Sequence, residues 1–134
     1  MTQRLSARDI NQITSTICES SIRIHRQIGP GILEKAYFGC LCYELASARL
    51  RIETQKELPL IYEGVKIDCA YRADLIVEGT VIVEVKAIES LAPIHKRQLL
   101  TYLRIADCPV GLLLNFGAKT MKEGIQRVVN NFKE

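Results

Sequence analysis

Near the start of the chain, apolar residues recur at Ile10, Ile13, Ile17, Ile24 and Ile28, steps that keep them on one face of a helix. Ser6 with Asp9 three residues on forms a capping box with a short acid, and Gly29-Pro30-Gly31 ends the run. The spacing of Leu33, Ala36, Tyr37, Cys40, Leu41, Leu45 and Ala48 predicts a second helix over about residues 31–49. Glu34 lies in its first turn, where the helix dipole favours an acid. From Glu57 to Ala87 the pattern changes. β-branched and aromatic residues are punctuated by Glu63-Gly64 and Glu78-Gly79, the signature of a three-strand meander, with Pro59 pointing to an edge or a late start for its first strand. "LAPIHKRQLLTYLRIADC" then predicts a helix with Pro93 in its first turn. "PVGLLLNFG" predicts a short buried strand, and "KTMKEGIQRVVNNF" an amphipathic closing helix with Met121, Ile125, Val128 and Val129 inward. A strand reached through a helical crossover joins its sheet parallel to a neighbour. The expected fold is therefore α/β: one domain over 1–134, with a mixed central sheet of the meander plus one further strand, flanked by helices.

The stretch "YRADLIVEGTVIVEVKA" carries a conflict. Its valines and isoleucines suit a buried hairpin, yet Asp74, Glu84 and Lys86 lie inside the strands, and unpaired buried charge is expensive. A one-residue slip of register sends every side chain to the other face, so hydrophobicity selects the register. With Glu78-Gly79-Thr80 as the loop and Val77 opposite Val81, residues Ala73, Leu75, Val77, Val81, Val83 and Val85 share a wholly apolar face. The other face then holds Arg72, Asp74, Ile76, Ile82, Glu84 and Lys86, with Asp74 directly across from Glu84. Carboxylates so placed have Cβ atoms roughly 5 Å apart and repel. One compensation is a salt-bridged, solvent-facing patch with Arg72 and Lys86. Another is a divalent cation: Mg²⁺ typically takes one or two carboxylates, with Lys86 beside the water that it binds.

Charge and cysteine content narrow the options only a little. The formal net charge of +3 neither identifies nor excludes a nucleic-acid binder. Five cysteines without a CxxC pair fit reduced, mostly buried thiols rather than a zinc site. No apolar run reaches the roughly 20 residues of a membrane span, and "MTQRLSARDI" lacks the apolar centre of a leader, so a cytoplasmic protein with no membrane partner is expected. Gly29-Pro30-Gly31 lacks the lysine and the context of a phosphate-binding loop.

Asp74 followed after a turn by Glu84-Val85-Lys86 resembles the D…(D/E)xK signature of the PD-(D/E)xK nuclease superfamily. The order of helix, three strands, helix and strand is similar to the common core of its restriction-endonuclease-like fold. "GILEKAY", with Gly31, Glu34 and Tyr37, resembles the namesake motif of the GxxExxY proteins within that superfamily. The likeness runs from about His25 to Gly117 through "HRQIGPG", "YRADL", "VEVKA", "QLLTYL" and "LLLNFG". Ala73 stands where the superfamily's name has proline.

The resemblance implies a nuclease that hydrolyses phosphodiester bonds of DNA or RNA with Mg²⁺ or Mn²⁺. Asp74, Glu84 and Lys86 would be catalytic. The metal would be held by Glu34, Asp74 and Glu84 with the Val85 carbonyl as a further ligand. Gln98 and Tyr102 match the QxxxY pair of RecB-type nucleases, and residues four apart share a helix face. Together with Arg72 and His25 they are candidates for contacting or supporting substrate. Each has a plainer reading: Glu34 as a helix-start acid, Tyr102 as a packed aromatic, Gln98 as a solvated position, His25 as a cation suited to a helix C-terminus. A non-catalytic nucleic-acid- or protein-binding module on the same fold stays open, as does a homodimer.

Overall fold

In the computed structural model, which describes residues 5–69 and 71–132, the capping box opens the first helix. The Asp9 amide donates to Ser6 Oγ at 3.1 Å, and the Ser6 amide donates to the Asp9 carboxylate at 3.3 Å. This helix, α1, spans Ala7–Ile28. Residues 1–4, part of the stretch read for a leader, and Ala70, inside the expected meander, lie outside the described residues. Gly29 and Gly31 have φ of 80° and 99°, a backbone region that side chains resist. Helix α2, Glu34–Ser47, begins three residues later than expected. The Tyr37 hydroxyl closes the junction by donating to the Gly29 carbonyl and accepting from the Ile32 amide.

The strands are β1 (Ile52–Glu57), β2 (Leu60–Tyr62), β3 (Val65–Ile67), β4 (Arg72–Val77) and β5 (Val81–Lys86). Helix α3 (Pro93–Ala106), strand β6 (Val110–Asn115), the single turn α4 (Met121–Gly124) and strand β7 (Ile125–Val129) follow. The central sheet has the order β1-β4-β5-β6-β7, with β5 and β6 parallel and the other neighbours antiparallel. Helices cover both faces. On one, Ile17 of α1 and Tyr37, Leu41 and Leu45 of α2 pack with Leu75, Val83, Val85 and Leu112. On the other, Leu99, Tyr102 and Leu103 of α3 pack with Ile76, Ile82 and Leu113. All six residues of β6 are buried, as a strand covered on both faces requires. Among the described residues no helix is long and apolar enough to cross a membrane.

Three expectations need correction. The closing segment is not a helix beyond Gly124: Ile125–Val129 pairs with β6. The spacing of Met121, Ile125, Val128 and Val129 fits a helix. It equally fits a strand whose two faces are both covered, with Ile125 packed against the α1–α2 core and Val128 buried in the α3 core. Val129, expected inward, is 50% exposed. Second, polar "IETQKE" forms the edge strand β1, which the alternation rule did not find because its side chains are almost all exposed. Third, the expected second strand of the meander is split into β3 and β4: the first strand, β2, and β3 form a separate ribbon, while β1 occupies the place beside β4. Glu63 and Gly64 have φ of 51° and 75°, as a two-residue hairpin turn demands.

Where β5 and β6 end, the chain is packed without slack. A Cβ on Gly117 would collide with the Ile88 carbonyl, whereas one on Gly39, inside α2, meets nothing within 4 Å. Chemical denaturation should find Gly117→Ala destabilised by roughly 2–3 kcal/mol and Gly39→Ala stabilised by about 0.5–1 kcal/mol.

Candidate active site

The hairpin takes the register that burial selects: Leu75 pairs with Val83, Ile76 with Ile82 and Val77 with Val81. Glu78 and Gly79 have φ of 52° and 62°, and the Thr80 amide donates to the Val77 carbonyl at 3.0 Å, closing the three-residue loop. Ala73, Leu75, Val77, Val81, Val83 and Val85 are all buried. The second face is covered as well, by α3, so it is not the solvated face that an alternating hairpin suggests. Glu84 keeps only 7% of its surface exposed.

One residue beyond the paired core, the hairpin is held by its two carboxylates. The Asp74 amide donates to Glu84 Oε1 at 3.1 Å, and the Val85 amide donates to Asp74 Oδ2 at 2.9 Å. Each acid thus accepts an amide from the opposite strand, and the two carboxyl groups are held close together. On the far side of β4, the register of Thr54 with Leu75 and Lys56 with Ala73 puts Gln55 across from Asp74. Gln55 has φ of 50°, which costs about 1–2 kcal/mol for a residue with a side chain. The sheet is therefore locally distorted around Asp74, and strain of this kind clusters at functional sites.

Burial, then the adjacent Asp74 charge, pushes the Glu84 carboxyl up to about 8, with Lys86 acting in the opposite sense. Among the described residues no ion pair within 4.0 Å joins any two of Arg72, Asp74, Glu84 and Lys86; ion pairs elsewhere include Arg23–Glu44, Arg51–Glu78 and Lys56–Glu53. A salt-bridged patch is thus not how the two acids are compensated. Lys86, at the end of β5, is half-buried. Tyr102 of α3 is 6% exposed, and its hydroxyl is raised above the usual tyrosine range by burial first and then by Glu84 and Asp74. It therefore lies within the field of both acids.

The other candidates are more scattered. Gln98, one turn before Tyr102, is exposed, as are Arg72 and Glu34. Glu34 is the first residue of α2, and among the described residues no three or more His, Cys, Asp and Glu side chains gather as a metal-holding group. The structure thus brings Asp74 and Glu84 together and does not bring Glu34 to them. Val85 is buried in the strand between Glu84 and Lys86. His25 is neither a free cap nor an open phosphate contact. It is buried, and its Nε2–H donates to the Ala118 carbonyl at 2.9 Å, tying α1 to the segment after β6. His95 accepts the Ala92 amide at Nδ1, 2.9 Å away, and so caps α3.

Two neighbours escaped the sequence reading. Tyr71 stacks obliquely on Tyr102, with ring centroids 5.7 Å apart; its place in "YRADL" was the available signal. Asn115, 1% exposed, accepts at Oδ1 from the amides of Ile88 at 3.0 Å and Gly117 at 3.1 Å. A polar residue ending an apolar run was the signal there.

The sequence model of the PD-(D/E)XK nuclease superfamily matches residues 11–128. No curated protein and no solved structure matches the chain.

The Glu84 carboxyl fixes how stability varies with pH. Between the ordinary value of 4.5 and about 8 the folded chain holds a proton that the unfolded chain has lost. Its contribution is therefore fully present below the unfolded value and is lost as pH rises through the folded one. Denaturant titrations without divalent cations should show the wild type losing stability relative to Glu84→Gln between pH 5 and 8, by an amount on the order of a few kcal/mol. Parallel profiles for the two proteins would contradict this assignment.

Proposed function

This chain belongs to the PD-(D/E)XK nuclease superfamily, and on that premise we propose that it hydrolyses phosphodiester bonds in nucleic acid. The observation that carries the reading is the reciprocal clasp, in which Asp74 and Glu84 each accept the other strand's amide and are thereby held side by side. Two adjacent carboxylates make the hard oxygen donor set of Mg²⁺ or Mn²⁺, and the Glu84 carboxyl, raised by burial and then by Asp74, is one whose ionisation a bound cation would favour. The residues fit the ion. Asp74 and Glu84 would hold it, with the Val85 carbonyl as a further oxygen donor. A cation bound there supplies Lewis-acid polarisation of the phosphoryl group and neutralises its charge.

The remaining work falls to side chains of this chain. Lys86, two residues after Glu84 on the same strand, orients the attacking water and offers positive charge to the phosphoryl oxygens as charge builds on them. Tyr102 keeps its proton at neutral pH, because burial and the neighbouring acids disfavour the phenolate. It therefore remains a hydrogen-bond donor for a phosphate oxygen. Arg72 and Gln98, both exposed, are placed in our reading along the path of the nucleic-acid backbone.

Glu34 is the acid we propose to join the shell once a cation is bound; without one it stands exposed and apart from Asp74 and Glu84, and a chain of contacts ties its helix to the site. One turn along α2, the Tyr37 ring stacks on Phe116 at 4.6 Å and 8°, and the Phe116 amide donates to the Lys86 carbonyl at 2.8 Å. The helix that begins with Glu34 is thereby fastened to the end of β5. The GxxExxY reading gains support from the same geometry: Gly31 takes the positive φ of the turn, Tyr37 latches it, and Glu34 between them is exposed.

Incubating the purified protein with DNA and RNA and either Mg²⁺ or Mn²⁺ should give cleavage, reduced at least about 100-fold in Glu84→Ala and in Lys86→Ala. Cleavage undiminished in these variants would sink the mechanism. Nucleic-acid binding with no metal-dependent cleavage would point instead to a non-catalytic module. Binding of a cation must also displace the Glu84 proton. Calorimetric Mn²⁺ affinity should then rise with pH below about 8, by about tenfold per unit, and level off above it. A flat dependence would contradict Glu84 as a ligand.

A further inference from the structure

Building on the nuclease reading, we propose that Asn115 is a positioning residue that acts through Lys86. Asn115 ends β6 and stands opposite Lys86 in the parallel ladder. Just beyond this point β5 leaves the sheet, and the Ile88 amide is taken up by Asn115 Oδ1 instead of a strand partner, while the same oxygen accepts the Gly117 amide. The next residue, Phe116, donates its amide to the Lys86 carbonyl at 2.8 Å. On the other side of Lys86, the Val85 amide is bound by Asp74 at 2.9 Å. Hydrogen bonds therefore bracket Lys86 along the backbone, one from the metal-site acid and two from the Asn115–Phe116 corner.

The corner itself has no freedom to shift. A Cβ at Gly117 would run into the Ile88 carbonyl, one at Gly124 would run into the Asn115 carbonyl, and Phe116 is stacked on Tyr37. A buried amide is costly unless its polar atoms are bonded, and here one oxygen receives two donors at the point where the ladder can no longer supply a partner. The Asn115 amide thus fixes the direction in which the strand carrying Lys86 departs, and with it where the ammonium is delivered. A functional group of this kind must be held within about 0.5 Å, and a misplacement of about 1 Å lowers a rate by a factor of about 100.

The test is a double-mutant cycle on single-turnover cleavage with Asn115→Ala, Lys86→Ala and the pair. Asn115→Ala should lower kcat about 100-fold with KM little changed, and should cost nothing further once Lys86 is gone. Asn115→Asp, which keeps the acceptor oxygen, should recover most of the rate. Losses that multiply in the double variant would show that Asn115 acts independently of Lys86 and would overturn the proposal. If Asn115→Ala does not fold, Asn115→Asp decides: a loss as large as that of Lys86→Ala overturns it, and near-normal turnover supports it. If the wild type cleaves no substrate, the nuclease reading fails separately, and carbon-13 relaxation of the Lys86 side chain decides this proposal. Order in the wild type that is lost when the Asn115 acceptor is removed supports it; equal order in both proteins overturns it.

Discussion

Two carboxylates sit side by side near the buried end of a hairpin, each holding an amide from the strand opposite. Like charges in this position repel, and burial removes the water that would screen them. The rest of the site follows from that constraint. The Asp74–Glu84 clasp replaces the backbone pairing at its step of the hairpin, and Gln55 across from Asp74 adopts a left-handed backbone. α3 seals the face that carries Glu84, and Glu84 is left needing either a proton or a cation. Structural ion pairs would have relieved the repulsion cheaply, but Arg72 and Lys86 do not form them with the two acids. On our proposal, positive charge brought from outside fills that imbalance.

The architecture localises that imbalance. Further into the hairpin, Leu75–Val83 and Val77–Val81 pair normally between two apolar layers, which supply the rigidity a placed site needs. At the other end, the chain from β5 and the chain from β6 separate around Asn115 and Phe116. The Tyr37–Phe116 stack carries the start of α2 to the same place, so strand, corner and helix are fastened to one another by a few directional contacts. α3 contributes Tyr102, which remains a donor because the acids beside it oppose its ionisation.

Much of this was legible in the sequence, and for specific reasons. The hairpin register could be read because a slip of one residue would have exposed a run of valines, and from that register Asp74 and Glu84 become neighbours. Ser6 with Asp9, and Gly29-Pro30-Gly31, marked the limits of α1 because caps and glycines act locally. Less was legible where tertiary context decides. Ile125–Val129 is a strand because β6 had an open edge, and a sheet covered on both faces erases the alternation that distinguishes strand from helix. β1 is polar because it is an edge, and so it carries little hydrophobic signal. The depth of Glu84 depended on α3 lying over it, and the role of Asn115 on where two distant strand ends meet. Glu34 shows the limit from the other side: a motif names the residue, while the fold leaves it exposed at the head of α2 rather than against the two acids.

The central claim is that Asp74 and Glu84 are held together to receive a divalent cation. It is tested most directly by a crystal structure of the protein soaked in Mn²⁺, with data collected at a wavelength where manganese scatters anomalously. The account predicts an anomalous peak bonded to oxygens of both Asp74 and Glu84, absent from crystals of Glu84→Gln. A map from saturated crystals with no peak between the two carboxylates would contradict it.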